Sequence, residues 1–210
     1  MNRRLKVPPT KSTLLALRRQ VVVLQQGHDL LERKRELLTR LVYQRLHQYR
    51  ALRRTVAAAL QEAYRWLAIA HMRMGSTQLR QATLGLQPAL AVHILPRSSI
   101  GVEYPTVAAE RLPLQPVGLM WTDASYDEAR RRMADIALLL AQLGEAETAL
   151  WRLLAEQRKT QKRVNALRHN VIPRYHATVR HIEAVLAEED RNTLFQLKVL
   201  RERDGDARLS

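Results

Sequence analysis

Sixteen positions, reached from Leu17 by alternating steps of four and three, constrain what this chain can fold into more than any other feature. They are Leu17, Val21, Leu24, His28, Leu31, Arg35, Leu38, Val42, Arg45, Tyr49, Leu52, Val56, Ala59, Ala63, Trp66 and Ala70, and thirteen of them are apolar. A seven-residue repeat sustained this long is the pattern of a left-handed coiled coil, in which each seam residue inserts between residues of a partner helix. An ordinary globular helix of about 11 residues would not need it. Between Thr10 and Gly75 there is no proline and one glycine, Gly27, so nothing interrupts the first helix. Gly27 reads as a site of close helix approach.

The last third repeats the pattern with phase shifts. Ala129, Met133, Ile136, Leu140 and Leu143 form one seam, and Ile172, Tyr175, Val179, Ile182 and Leu186 another. Leu150, Leu154 and Val164 keep the spacing between them, with Gln157 and Gln161 as polar fillers. Pro173 removes one backbone hydrogen bond and is expected to bend the helix. Thr10 or Ser12 can cap the first helix, and Ser125 the second. The middle is different: Gly85, Gly101 and Gly118 lie there with five prolines. It holds one plausible hairpin, Leu90–Leu95 with Ser99–Tyr104, turning at Pro96–Ser98.

These signals predict an all-α chain in three parts. Residues 1–74 form an N-terminal coiled-coil helix, 75–124 an irregular segment with a short β-hairpin, and 125–210 a C-terminal coiled-coil helix. At 1.5 Å per residue, helices over 12–73 and 126–203 would span about 90 and about 120 Å. They are expected to fold back on each other as an antiparallel two-helix coiled coil, a rod with a small head.

Charge follows the same division. The 210 residues carry 35 Lys or Arg and 20 Asp or Glu, a net of +15. Residues 1–74 hold sixteen of the bases and four of the acids, so +12 of the surplus lies in the first helix. Such a surplus calls for an acidic partner: nucleic acid, an anionic membrane surface or an acidic protein surface. The longest uninterrupted apolar run, Ile136 to Ala141, is six residues, whereas a bilayer span needs about 20. The basic N-terminus lacks the apolar stretch of a signal peptide, and a cytoplasmic location is expected.

No sequence motif points to covalent chemistry. There is no cysteine, hence no thiolate zinc site or thiol nucleophile. Phosphate-loop, dinucleotide, nucleophile-elbow and HExxH patterns are absent from the sequence. His169, His176 and His181 stand seven and five residues apart, a poor match to the i, i+4 pairing of a helical metal site, and read as solvated helix histidines. No catalytic residue, cofactor or metal is expected. Basic runs such as Arg33–Lys34–Arg35 and Arg130–Arg131–Arg132 recur around both helices with few aromatics between them, so most read as solvated surface.

Two stretches carry more than periodicity. One is Pro9–Thr10–Lys11 followed by Gly27–His28–Asp29–Leu30–Leu31–Glu32–Arg33–Lys34–Arg35. The other is Arg163–Val164–Asn165–Ala166–Leu167 followed by Val171–Ile172–Pro173–Arg174. Together with Ile100–Gly101–Val102 and Phe195–Gln196–Leu197–Lys198, they resemble the D subunit of the V-type and archaeal-type rotary ATPases. Glu32 departs from the resemblance, standing where the family commonly has lysine. The resemblance implies a central rotor shaft inside a hexamer of A and B subunits. It further implies a small F subunit on the side of the coiled coil, and a funnel-shaped subunit linking it to the membrane ring. Neither nucleic acid nor membrane insertion is implied. Thr10, Lys11, Arg18, Arg19, Arg163, Asn165 and Arg168 become the candidate partner-binding residues near the hexamer. A basic coiled-coil nucleic-acid-binding protein is the alternative, and a homo-oligomeric scaffold a third.

Overall fold

A computed structural model describes residues 4–116 and 122–206. Helix α1 runs Lys11–Thr83, strands β1 and β2 cover Leu90–Ser99 and Val102–Arg111, and helix α2 covers Ala124–Ala166. A π-helical turn, Leu167–Val171, follows, and helix α3 runs Ile172–Asp206. The chain forms two compact units, residues 1–36 with 158–210, and residues 37–157.

Thr10 caps α1 as expected: its Oγ1 accepts the Thr13 backbone N–H at 3.2 Å, and its carbonyl accepts that of Leu14 at 2.9 Å. All sixteen seam positions of α1 are buried or half-buried, the polar His28, Arg35 and Arg45 included. Gly27 does not serve close packing. A Cβ placed there would meet nothing within 4 Å, so the glycine is a tolerated gap in the helix.

In the first unit α1 pairs antiparallel with the chain from 158 onward. Arg18 reaches Glu183, Gln25 reaches His176 and Arg35 reaches Gln161, so numbers rise on one side as they fall on the other. Leu17, Val179 and Ile182 form the core, with Leu5, Leu14, Tyr175 and Leu186 packed around them. The segment before α1 is tied down where the Leu5 N–H donates to Thr178 Oγ1 at 3.0 Å. That hydroxyl, on a residue only 1% exposed, also donates to the Arg174 carbonyl.

Pro173 acts through the π turn. The Ile172 N–H bonds back five residues to the Leu167 carbonyl, opening the ladder where the proline ring could not fit and its nitrogen could not donate. Up to the end of the turn, Val164, Leu167 and Val171, buried or half-buried, keep the three-and-four spacing. That count would continue to Arg174, Thr178 and His181. The apolar side chains of the core are instead Tyr175, Val179 and Ile182, each one residue later, because a π turn holds one more residue than an α turn.

In the second unit α1 and α2 are likewise antiparallel. Leu38 meets Leu153 near the start of this stretch of α1, and Ala70 and Met74 meet Tyr126 and Ala129 near its end. Gly75 interrupts α1 with φ 77° and ψ 163°, a conformation open almost only to glycine, and helix resumes to Thr83. The cap of α2 is Asp123, not Ser125. The Asp123 carboxylate accepts the Ser125 N–H and hydroxyl, and Ser125 itself is buried in the first turn.

The two strands pair antiparallel, Leu90 opposite Arg111 through Ser99 opposite Val102. The hairpin therefore turns at Ile100–Gly101, not at Pro96–Ser98, and each strand is longer than expected. A two-residue turn matching strand twist needs positive φ at both positions, and Ile100 and Gly101 have 54° and 73°. Proline cannot supply that, and Pro96 instead sits opposite Pro105 inside the ladder. Each strand has a free edge, so neither proline need donate to the ladder. Val102 packs on Leu38 and Leu153. Further bonds hold the hairpin to α2: the Val107 N–H to the Glu145 carboxylate and Arg152 to the Glu103 carbonyl, both 2.9 Å, and Arg111 pairs with Asp135. Arg45, a polar seam residue, reaches the hairpin too. Its guanidinium lies 5.9 Å from the centroid of the buried Tyr104 ring, with Nη2 3.5 Å from the hydroxyl.

Candidate functional site

All seven candidate residues fall in the first unit, four on α1 or its cap and three on the α2 end and the π turn. They form two groups. In the first, Lys11 Nζ stands 3.7 Å from Asp190 Oδ1 and Arg18 Nη2 2.6 Å from Glu183 Oε1. Thr10 caps the same end and Arg19 is exposed beside it. These ion pairs are solvent-exposed, and each is worth at most about 1 kcal/mol.

The second group lies about 25 Å farther along α1, seventeen residues from Arg18 to Arg35 at helical rise. Arg163 and Arg168 are exposed, and Asn165 accepts a 2.9 Å bond from Gln161. Gln161 in turn accepts from Arg35 at 3.2 Å, and Arg35 forks onto Glu32. Glu32 is therefore half-buried against a seam arginine, not a free reversed charge on the outside of the helix.

Apolar surface is what the candidate residues did not include. Leu194, Phe195, Leu197 and Leu200, near the end of α3, are each more than half exposed. A signal was available in the Leu194–Leu200 stretch, whose apolar residues exceed one seam. In the second unit Ile94 and Leu95 of β1 are 68% and 58% exposed. That unit also holds an open cavity of about 420 Å³ lined mainly by apolar residues, among them Leu79, Leu86, Leu114 and Met133. Arg130 lines the cavity, its guanidinium 5.8 Å from the Tyr126 ring centroid and donating to the Gln115 carbonyl. Burial raises the Tyr126 hydroxyl above its ordinary pKa, and that hydroxyl donates to the Ala82 carbonyl at 3.0 Å. Asp123 is held at about 2 by the Ser125 hydroxyl and then by Arg73. Among the described residues no three His, Asp or Glu side chains come together as metal ligands. No helix among them is long and apolar enough to cross a membrane.

The family model for the D subunit of ATP synthase matches residues 13–202, nearly the whole chain. The chain belongs to that family. The V-type ATP synthase D subunit of Thermotoga neapolitana is 34% identical over 200 residues, covering 95% of this chain and 98% of its own. The A-type ATP synthase D subunit of Pyrococcus furiosus is 31% identical over 201 residues, 94% of each. That of Methanobrevibacter smithii is 32% identical over 199 residues, covering 93% of this chain and 86% of its own. The match spans α1, the hairpin, α2 and nearly all of α3, so family membership extends to both units rather than to a shared helix alone.

Proposed function

We propose that the chain is the non-catalytic central rotor of a V/A-type rotary ATP synthase. It couples ATP synthesis or hydrolysis in a hexamer of A and B subunits to ion movement through a membrane ring, to which it is peripheral. The end-to-end match to the ATP synthase D subunit carries this reading. The first unit is the part that enters the hexamer, through the exposed apolar end of α3 and the basic groups at Lys11, Arg18, Arg19, Arg163 and Arg168. Thr10 and Asn165 belong to the same surface, one as the cap of α1 and the other beside Gln161. The small F subunit binds the side of the helix pair, and the funnel-shaped subunit links the chain to the membrane ring.

The physics of coupling is linkage. The first unit carries exposed apolar side chains, ion pairs and exposed arginines, and a shaft whose surface differs around its axis presents a different surface to each surrounding site at a given angle. Rotation and nucleotide state then bias each other reciprocally. Co-expression with the A, B and F subunits is the test. The chain is expected to co-purify in a defined complex and to raise its ATPase turnover. Failure to co-purify, with a salt-sensitive affinity for duplex DNA instead, would point to the nucleic-acid alternative.

A further inference from the structure

The apolar seam of the first unit cannot fix its own register. Leu17, Leu24 and Leu31 repeat one residue type at seven-residue intervals, so sliding α1 by a heptad leaves leucine in leucine's place. The other row of the seam reads Val21, His28 and Arg35, and is not degenerate. We infer that the Glu32–Arg35–Gln161–Asn165 network is the register lock of the helix pair in this unit.

The geometry ties one guanidinium to both helices. Arg35 Nε and Nη2 donate to the two Glu32 oxygens at 3.0 and 2.5 Å within α1. Its Nη1 crosses to Gln161 Oε1 on α2 at 3.2 Å, and Gln161 Nε2 passes the chain to Asn165 Oδ1 at 2.9 Å. Arg35 and Glu32 are each about seven-tenths covered, so their charges are partly desolvated and need these partners. One heptad of slip would replace Gln161 by Leu154, which offers no side-chain acceptor, or by Arg168, which carries the same charge. A single polar seam position that is satisfied in one alignment alone specifies register at some cost in stability. The lock does not depend on the rotor reading, because it concerns the chain by itself.

The absence of cysteine from the 210 residues makes this testable in the chain as it stands. Gln25→Cys with His176→Cys, joined by a short bifunctional thiol crosslinker, reports the native register, since the ends of those two long side chains meet across the helix pair at 3.4 Å and a cysteine pair there needs a spacer rather than a direct disulfide. Gln25→Cys with His169→Cys, or with Glu183→Cys, reports a slip of one heptad either way. In the Arg35→Leu/Gln161→Leu background the slipped crosslinks are expected to rise at least about tenfold, with helicity retained and Tm no lower. Glu32→Gln, which spares the interhelical bond, is expected to keep the native crosslink. An unchanged crosslink pattern in the double variant would overturn the lock. So would a loss of helicity there, since leucine at seam positions folds, and so would slip in Glu32→Gln equal to that of the double variant.

Discussion

Replacing Leu153 by alanine gives the sharpest check on how α2 faces its partner in the second unit. Leu153 is fully buried against Leu38 and Val102, whereas its neighbour Leu154 is half-buried. Heptad counting from Leu150 picks Leu154, so the pair separates the structural face from the one expected from sequence. Removing three buried carbons at about 0.8 kcal/mol each gives about 2.4 kcal/mol. The cavity left between Leu38 and Val102 adds to it, for a total of about 3 to 4 kcal/mol. Leu154→Ala removes carbons already partly in water and is expected to cost about 1 kcal/mol. Urea unfolding followed by helical circular dichroism measures both. Because Val102 rests on Leu153, amide exchange in β2 should also quicken in Leu153→Ala and not in Leu154→Ala. Equal costs, or a larger cost at Leu154, would refute the assigned face.

Gly27→Ala should stabilise the chain by about 0.5 to 1 kcal/mol, because the added methyl meets open space in a helix interior; a lower Tm would restore a packing role for the glycine. Gly75→Ala should cost about 1 to 3 kcal/mol, since φ 77° with ψ 163° excludes a Cβ. Ile100→Gly should do the reverse and raise hairpin stability by about 1 kcal/mol, because a β-branched residue now holds φ 54°; both are read from thermal melts. Asp123 has a folded pKa of about 2, below its ordinary 3.8, so its contribution is complete above pH 4 and lost as pH falls toward 2. The stability gap between the native chain and Asp123→Asn should therefore close over that range, and a gap unchanged at pH 2 would show that charge is not its source.

The helices were readable because their signal is additive: sixteen seam positions agree, and all sixteen are covered in the structure. The cap at Thr10 was readable for the same reason, being a local rule met locally. What failed depended on backbone angles or on partners distant in sequence. Pro96 looked like a turn and lies in a strand, because the turn needed positive φ and Gly101 with Ile100 provided it. Ser125 looked like a cap until Asp123, paired with Arg73 from the far end of α1, took that place. Leu140 keeps the heptad step yet is 47% exposed, and nothing in the packing explains it. Glu32 is an anomaly of charge against the resemblance, and the structure pairs it with Arg35 one helical turn away. The seven candidate residues came from resemblance; the structure gathers them in one unit but splits them into two groups along it.

Rotation is the most direct test of the rotor assignment. With no native cysteine, Ser98→Cys in the hairpin gives a single exposed attachment point for a bead. In a surface-fixed complex with the A and B subunits, ATP should drive the bead in one direction, in steps that repeat with the symmetry of the hexamer. A bead that stays still, or only diffuses, while the same complex hydrolyses ATP would contradict a rotor.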